Sequence, residues 1–266
     1  MRSYYYLIAG LPDIRFDDTK AALSVDQFRE EVFASLTGAD RKLLDLLRLE
    51  KDCRGFIGSA LMEELVADVK ADEAKRQDIP SFLYDFVGEW LDESWRQKAA
   101  FAEDRLWGLF YDYAMNCADN ELVGRWYEFN LNLNNIISGI TARKYDLDIH
   151  KVIVGQNEVA QALRTSGARD WGLSQELDYF DDVARLVEEG DLAEREHKVD
   201  MLRWNWLEEH TFFNFFTVER LFSYMVRLDM VERWTTLDKE KGQQLFRQLI
   251  GELKEQTEVP EEFKTN

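Results

Sequence analysis

Few residues in this 266-residue chain have the type and spacing for chemistry. The nearest approach to a metal centre is Glu194 with His197. This is one Glu-x-x-His pair, which on a helix puts carboxylate and imidazole on the same face. A di-iron carboxylate site in a helical bundle needs two such pairs and two further glutamates. Leu207 precedes His210 by three residues and Leu147 precedes His150, so no second pair exists. There is no Gly-x-Ser-x-Gly elbow and no Gly-x-x-x-x-Gly-Lys-Ser/Thr phosphate loop. Neither Cys53 nor Cys117 has a histidine nearby in the sequence. Three histidines in all leave little material for general base catalysis near neutral pH. No catalytic, cofactor-binding or metal-ligating residue is assigned, and the chain does not read as an enzyme.

Two other constellations stand out. Asn130, Asn132, Asn134 and Asn135 crowd one stretch, although asparagine competes for backbone hydrogen bonds and is a poor residue inside a helix. Asn132 and Asn135 share a face, distinct from the one that carries Leu133 and Ile137. That polar stripe faces solvent, a helix end or a partner, or else forms a satisfied network between helices. The second constellation is aromatic: Trp204, Trp206, Phe212, Phe213, Phe215 and Phe216. Aromatics at helical spacing usually pack a helix against its neighbours, and core is the expected role. The competing role is an interaction surface.

The elements that would position these residues are helices. Ser24 and Gln27 fit a capping box, and Val25, Phe28, Val32, Phe33 and Leu36 follow on one face. Asp40 is the expected cap of a second helix through Leu43, Leu44, Leu46 and Leu47. Leu61–Lys75 is acidic and only mildly apolar, which predicts an exposed segment. Phe82, Phe86, Trp90 and Leu91 mark the next helix, and Phe101, Leu106, Leu109, Phe110 and Tyr113 another. The clearest period runs through Leu122, Trp126, Phe129, Leu133, Ile136, Ile137 and Ile140. Tyr4 to Ala9 reads as a short strand or a first helical turn, and Val152–Gly155 as an extended piece. A helix is expected from about Gln175 to Glu188, and Gly190-Asp191 restarts the chain. After Val218, Leu221, Phe222, Met225 and Leu228, the pair Leu237-Asp238 resembles the cap of a separate final helix. The fold class is therefore all-α, a multi-helix bundle. The chain reads as one helical domain, 1–266, with 1–118, 119–190 and 191–266 as the sub-bundles.

Charge narrows the partners. The formal net charge is −19, which repels phosphate backbones and makes nucleic acid a poor partner. The chain suits basic partner surfaces instead. Cys53 and Cys117 show no disulfide spacing and read as core thiols of a reducing compartment. The first residues lack the apolar run and cleavage site of a signal peptide, and no stretch nears the roughly 20 apolar residues that cross a bilayer. The expected location is cytoplasmic.

The stretch Trp126-Tyr127-Glu128-Phe129-Asn130-Leu131-Asn132-Leu133-Asn134-Asn135-Ile136-Ile137 resembles the aromatic-Glu-x-x-Asp-x-x-Asn-Ile signature of the C (or d) subunit of V-type and A-type ATPases. Asn132 stands at the acidic position of that signature, a departure, and Arg143 stands where an arginine often follows. Thr217–Met225 is similar to a late helix of the same family. The opening Tyr-Tyr-Leu-Ile-Ala-Gly-Leu-Pro, Arg-Asp-Trp-Gly-Leu-Ser at 169–174 and Glu-Arg-Trp at 232–234 resemble a divergent bacterial branch encoded among V-type ATPase subunits. The resemblance implies a funnel of related helical bundles without catalytic residues. Such a subunit joins the central rotor shaft to the membrane rotor ring, and lies at the membrane through protein partners. It also implies partner-binding roles for Glu128, Asn132, Asn135 and Arg143. A helical adaptor or assembly factor is the other function compatible with these features.

Overall fold

The computed structural model describes residues 4–72, 75–76, 78–92, 101–116 and 120–256, the last stretch by backbone alone from 239 onward. Cys117 and the polar tail beyond Gln256 lie outside the described residues. The described residues form helices and no strand, so the fold is all-α. In chain order the helices are α1 (Tyr5–Ala9), α2 (Val25–Phe33), α3 (Gly38–Arg54), α4 (Ala60–Lys70), α5 (Ser81–Leu91) and α6 (Ala102–Asn116). There follow α7 (Glu121–Lys144), α8 (Ile149–Val152), α9 (Glu158–Thr165), α10 (Phe180–Val187), α11 (Leu192–His210) and α12 (Val218–Gln256).

Most helices start where a short polar side chain accepts the first orphan backbone N–H. Thr37, Ser59, Asn120, Asp148, Asn157 and Asp191 do so for α3, α4, α7, α8, α9 and α11. Ser24 and Gln27 form the reciprocal capping box of α2. Asp40 is not the cap of α3: it lies in the first turn, and its N–H donates to the side chain of the N-cap, Thr37, three residues earlier.

The chain divides into two compact units, each with its own packing. The larger comprises Met1–Tyr5 and Leu36–Ser223. Its centre is α7, on which α6, α8, α9, α10 and α11 all pack. Leu131, Leu133 and Ile136 of α7 are buried with Leu106, Phe110 and Leu163. Phe110 meets Phe82, Trp107 and Tyr127 edge-on, at ring separations of 6.3, 5.6 and 5.5 Å. Such edge contacts are the favoured geometry for aromatic quadrupoles, and each buried ring contributes about 1.5–3 kcal/mol. The N-terminal residues join this unit: the Tyr4 N–H donates to the Phe216 carbonyl at 2.7 Å, and the Tyr4 hydroxyl bonds the Asp40 carboxylate.

The smaller unit comprises Tyr6–Ser35 and Tyr224–Asn266. Here Phe28 of α2 stacks on Tyr224 of α12 with rings 5.4 Å apart. The Tyr224 hydroxyl donates to the Pro12 carbonyl at 2.9 Å, and the Val25 N–H at the start of α2 points to the Glu232 carboxylate at 3.3 Å. Val32, Met225 and Leu228 complete this core.

Candidate interaction site

Three asparagines of α7, Asn130, Asn132 and Asn135, are among the buried polar residues of the larger unit. Asn135 is 2% exposed. Its amide donates to the Val154 carbonyl at 2.8 Å, and its carbonyl accepts from the Val154 N–H at 2.9 Å. Asn132, 5% exposed, accepts from the Asn157 amide at 2.7 Å. Asn135 therefore holds the 153–157 loop as a strand neighbour would, by satisfying its backbone, while Asn132 holds it through the Asn157 side chain. Arg164 of α9 completes the clamp, donating to the carbonyls of Gly155 and Ile153 at 2.8 and 2.6 Å. Gly155 sits at φ +76, and a Cβ there would stand 3.2 Å from Leu131. Only glycine combines that backbone with that proximity at no cost.

A second network lies across α7 and α11. Arg203 donates to Asn130 at 2.8 Å and to Asn134 at 3.0 Å, and pairs with Asp200 at 3.0 Å. Asn130 in turn donates to the Trp126 carbonyl, and Asn134 donates to the Tyr111 hydroxyl at 3.1 Å. Burial, then the charge of Glu50, pushes the Tyr111 phenol up to about 12. Satisfied networks of this kind, buried at Asn130 and Asp200 and open to solvent at Asn134, specify one packing of the helices.

Of the four residues implied as partner-binding, Asn132 and Asn135 are thus interior and spent on the chain's own loop. Glu128 is exposed and borders a shallow groove with Asn120, Gly124 and Arg125. Arg143 is exposed near the other end of α7, about 22 Å along the helix at about 1.5 Å per residue. Its guanidinium donates to the carbonyls of Ala168 and Arg169 and lies 3.7 Å over the Trp171 ring. Trp171 has φ +56, an uncommon conformation for a bulky residue. Arg143 holds that turn against α7 and lines an open groove of about 790 Å³ with Phe180 and Arg185 of α10. The four residues do not form one site.

The aromatic cluster divides. Trp204 is buried, and Trp206 stacks on Phe129 at 5.3 Å on one side and on His210 at 3.9 Å on the other. The core role fits those two. It fails for the phenylalanines: Phe212, Phe213, Phe215 and Phe216 are 63, 82, 61 and 38% exposed. They occupy a turn between α11 and α12 rather than a helix, so no helical face gathers them. The signal in the sequence was Thr211, Asn214 and Thr217, whose short polar side chains favour turns and caps. The turn is fixed from within. The buried Thr211 hydroxyl donates to the Leu207 carbonyl at 2.6 Å, the Asn214 N–H donates to the Thr211 carbonyl at 3.0 Å, and the Asn214 amide donates to the Thr217 hydroxyl at 3.5 Å.

Among the described residues, no group of three His, Cys, Asp or Glu side chains is placed to hold a metal ion. Cys53 is buried, and desolvation followed by the charges of Asp52 and Glu50 pushes its thiol up to about 12. It is held as the protonated thiol, not the nucleophilic thiolate. No helix of the described residues is long and apolar enough to cross a membrane.

Among the described residues, the fold and these surfaces define an all-α protein in which buried asparagines of α7 hold a loop and a neighbouring helix, and the 211–217 turn presents aromatic rings outward. Residues 1–257 match the family described as "Protein of unknown function (DUF2764)", and the chain belongs to that family. No curated protein and no solved structure matches it.

Proposed function

We propose that this chain is a non-catalytic structural subunit of a V-type or A-type rotary ATPase, linking the central rotor shaft to the membrane rotor ring. The observation that carries the reading is the likeness of Trp126–Ile137 to the signature of the C (d) subunit. In support, that stretch lies on α7, the helix on which most of the larger unit packs. A coupling part must carry torque without yielding, and a helical body tied by buried polar networks suits that task. The partners are the central-stalk and membrane-ring subunits, and the location is the cytoplasmic side of the membrane, held there by those proteins. Nucleic acid is no partner under this reading. The strongly acidic chain favours basic docking surfaces.

The second reading is a helical adaptor or assembly factor. The test is affinity purification of the tagged full chain from its native host, with stoichiometry measured by mass spectrometry. A subunit copurifies with rotary ATPase parts at a fixed ratio in the intact complex. An assembly factor appears only with incomplete complexes. Absence of every rotary ATPase part from the eluate removes the first reading.

A further inference from the structure

Phe212, Phe213, Phe215 and Phe216 present four rings outward from one short turn, and Tyr5 extends the patch, its ring 4.7 Å from that of Phe216. Phe212 and Phe213 meet edge-on at 5.0 Å. Among the described residues these rings lie outside the core of the larger unit, on a turn braced by hydrogen bonds of Thr211, Asn214 and Tyr4. Leaving so much aromatic surface in water is costly, and contiguous apolar patches on soluble proteins mark contact surfaces. Because the turn is braced, its rings are pre-ordered, which reduces the entropy lost on binding.

The charge around the turn says what covers it. Glu208 and Glu209 are exposed one turn earlier on α11, and between Arg203 and Arg220 the sequence has no lysine or arginine. A second copy of the chain would set the same glutamates against each other. An anionic membrane surface would be repelled by them and by the net charge of −19. We propose that the 211–217 turn is a docking knob for a basic amphipathic segment of a partner protein, its apolar side on the phenylalanines and its lysines or arginines toward Glu208 and Glu209. The inference stands on this surface alone and does not depend on which complex the chain serves.

The test uses the full chain and a fluorescein-labelled synthetic peptide with leucine and lysine at helical spacing. Its controls are a scrambled peptide of the same composition and a leucine–glutamate counterpart. Fluorescence anisotropy is expected to show binding of the leucine–lysine helix at least tenfold tighter than of either control. The Phe212→Ser/Phe213→Ser double variant is expected to lose at least tenfold in affinity. Phe213→Ser alone, at the most exposed ring, loses severalfold and guards against a misfolded double variant. Glu208→Lys/Glu209→Lys is expected to weaken binding severalfold and to flatten its salt dependence. Equal affinity for the scrambled peptide, or unchanged affinity in the phenylalanine variants, overturns the proposal. So does cosedimentation with neutral phosphatidylcholine vesicles that the double variant abolishes, which would assign the knob to lipid. A dimer in sedimentation that the same variant dissociates would assign it to a second copy and overturn it as well.

Discussion

Asn135 shows how one side chain can hold a loop. It supplies both partners that the Val154 peptide group needs, at 2.8 and 2.9 Å, from a position almost without solvent. Asn135→Ala leaves both groups without that partner, and each such loss costs about 1–3 kcal/mol. The expected loss is about 2–6 kcal/mol in urea unfolding, and one below about 0.5 kcal/mol would contradict the assigned role. Glu128→Ala, at an exposed position, is expected to stay within about 0.5 kcal/mol of the parent. Tyr111 yields a pH test. Its phenol is pushed up to about 12 from an ordinary 10.0, chiefly by burial. Below about pH 10 the phenol is protonated in both states and its contribution to stability is complete. Between pH 10 and 12 the unfolded chain ionises while the folded one must stay neutral, so that contribution falls and is lost as the pH passes the folded value. Tyr179, also raised to about 12 mainly by burial, acts in the same direction. The Tyr111→Phe variant is therefore expected to lose less stability than the parent over pH 10–12, read from urea midpoints. Parallel profiles would refute it.

At the scale of the element, α7 is the piece whose loss should matter most. Trp126 is buried on it, with rings of Trp206 and Phe129 at 5.5 and 6.1 Å. Trp126→Ala is expected to cost about 3–5 kcal/mol, the range for truncating a large buried aromatic. An unchanged melting temperature would mean that this face does not carry the core. The same helix shows what the sequence could and could not tell. The apolar period through Trp126, Phe129, Leu133 and Ile136 identified α7, because a helix with an apolar face repeats it every 3.6 residues. The capping box at Ser24 was equally legible, being local chemistry. The asparagines were ambiguous, since their partners Val154, Asn157 and Arg203 come from elsewhere in the chain. Of the predicted extended piece at 152–155, Val152 ends α8, Ile153 is extended and Gly155 turns, in a loop that borrows hydrogen bonds from α7. Leu65 and Met62 are buried in a segment that reads as exposed, and Leu237-Asp238 interrupts nothing, since α12 runs through it. A capping residue stops a helix only when the backbone turns there. The helix expected from Gln175 begins only at Phe180, after a single 3₁₀ turn at Leu173–Gln175. The outward phenylalanines were the least legible, because a run of aromatic doublets reads as core until the turn that carries it is known.

For the whole molecule, charge is the strongest influence outside the two cores. A net charge of −19 opposes the compact state through self-repulsion, and salt screens that repulsion at distances beyond about 8–10 Å near physiological strength. Raising sodium chloride from about 0.02 to 0.5 M is therefore expected to raise the melting temperature by a few degrees, measured by circular dichroism at 222 nm. A fall would mean that the exposed ion pairs, such as Lys75–Asp85 and Lys144–Glu188, outweigh the repulsion. Their individual contributions, about 0–1 kcal/mol each, argue against that.

The discontinuous smaller unit imposes an order on biosynthesis. Residues 6–35 leave the ribosome before the larger unit does, yet Phe28 has no ring to stack on until Tyr224 has been made. At about 5–20 residues per second, the intervening stretch of almost 190 residues takes about 10–40 s to translate. During that interval α2 carries Phe28 and Val32 without the helix that buries them, while the continuous stretch from Leu36 to Ser223 can begin to pack as it emerges. The nascent chain thus carries an unburied apolar segment, a natural binding target for ribosome-associated chaperones, until α12 is released.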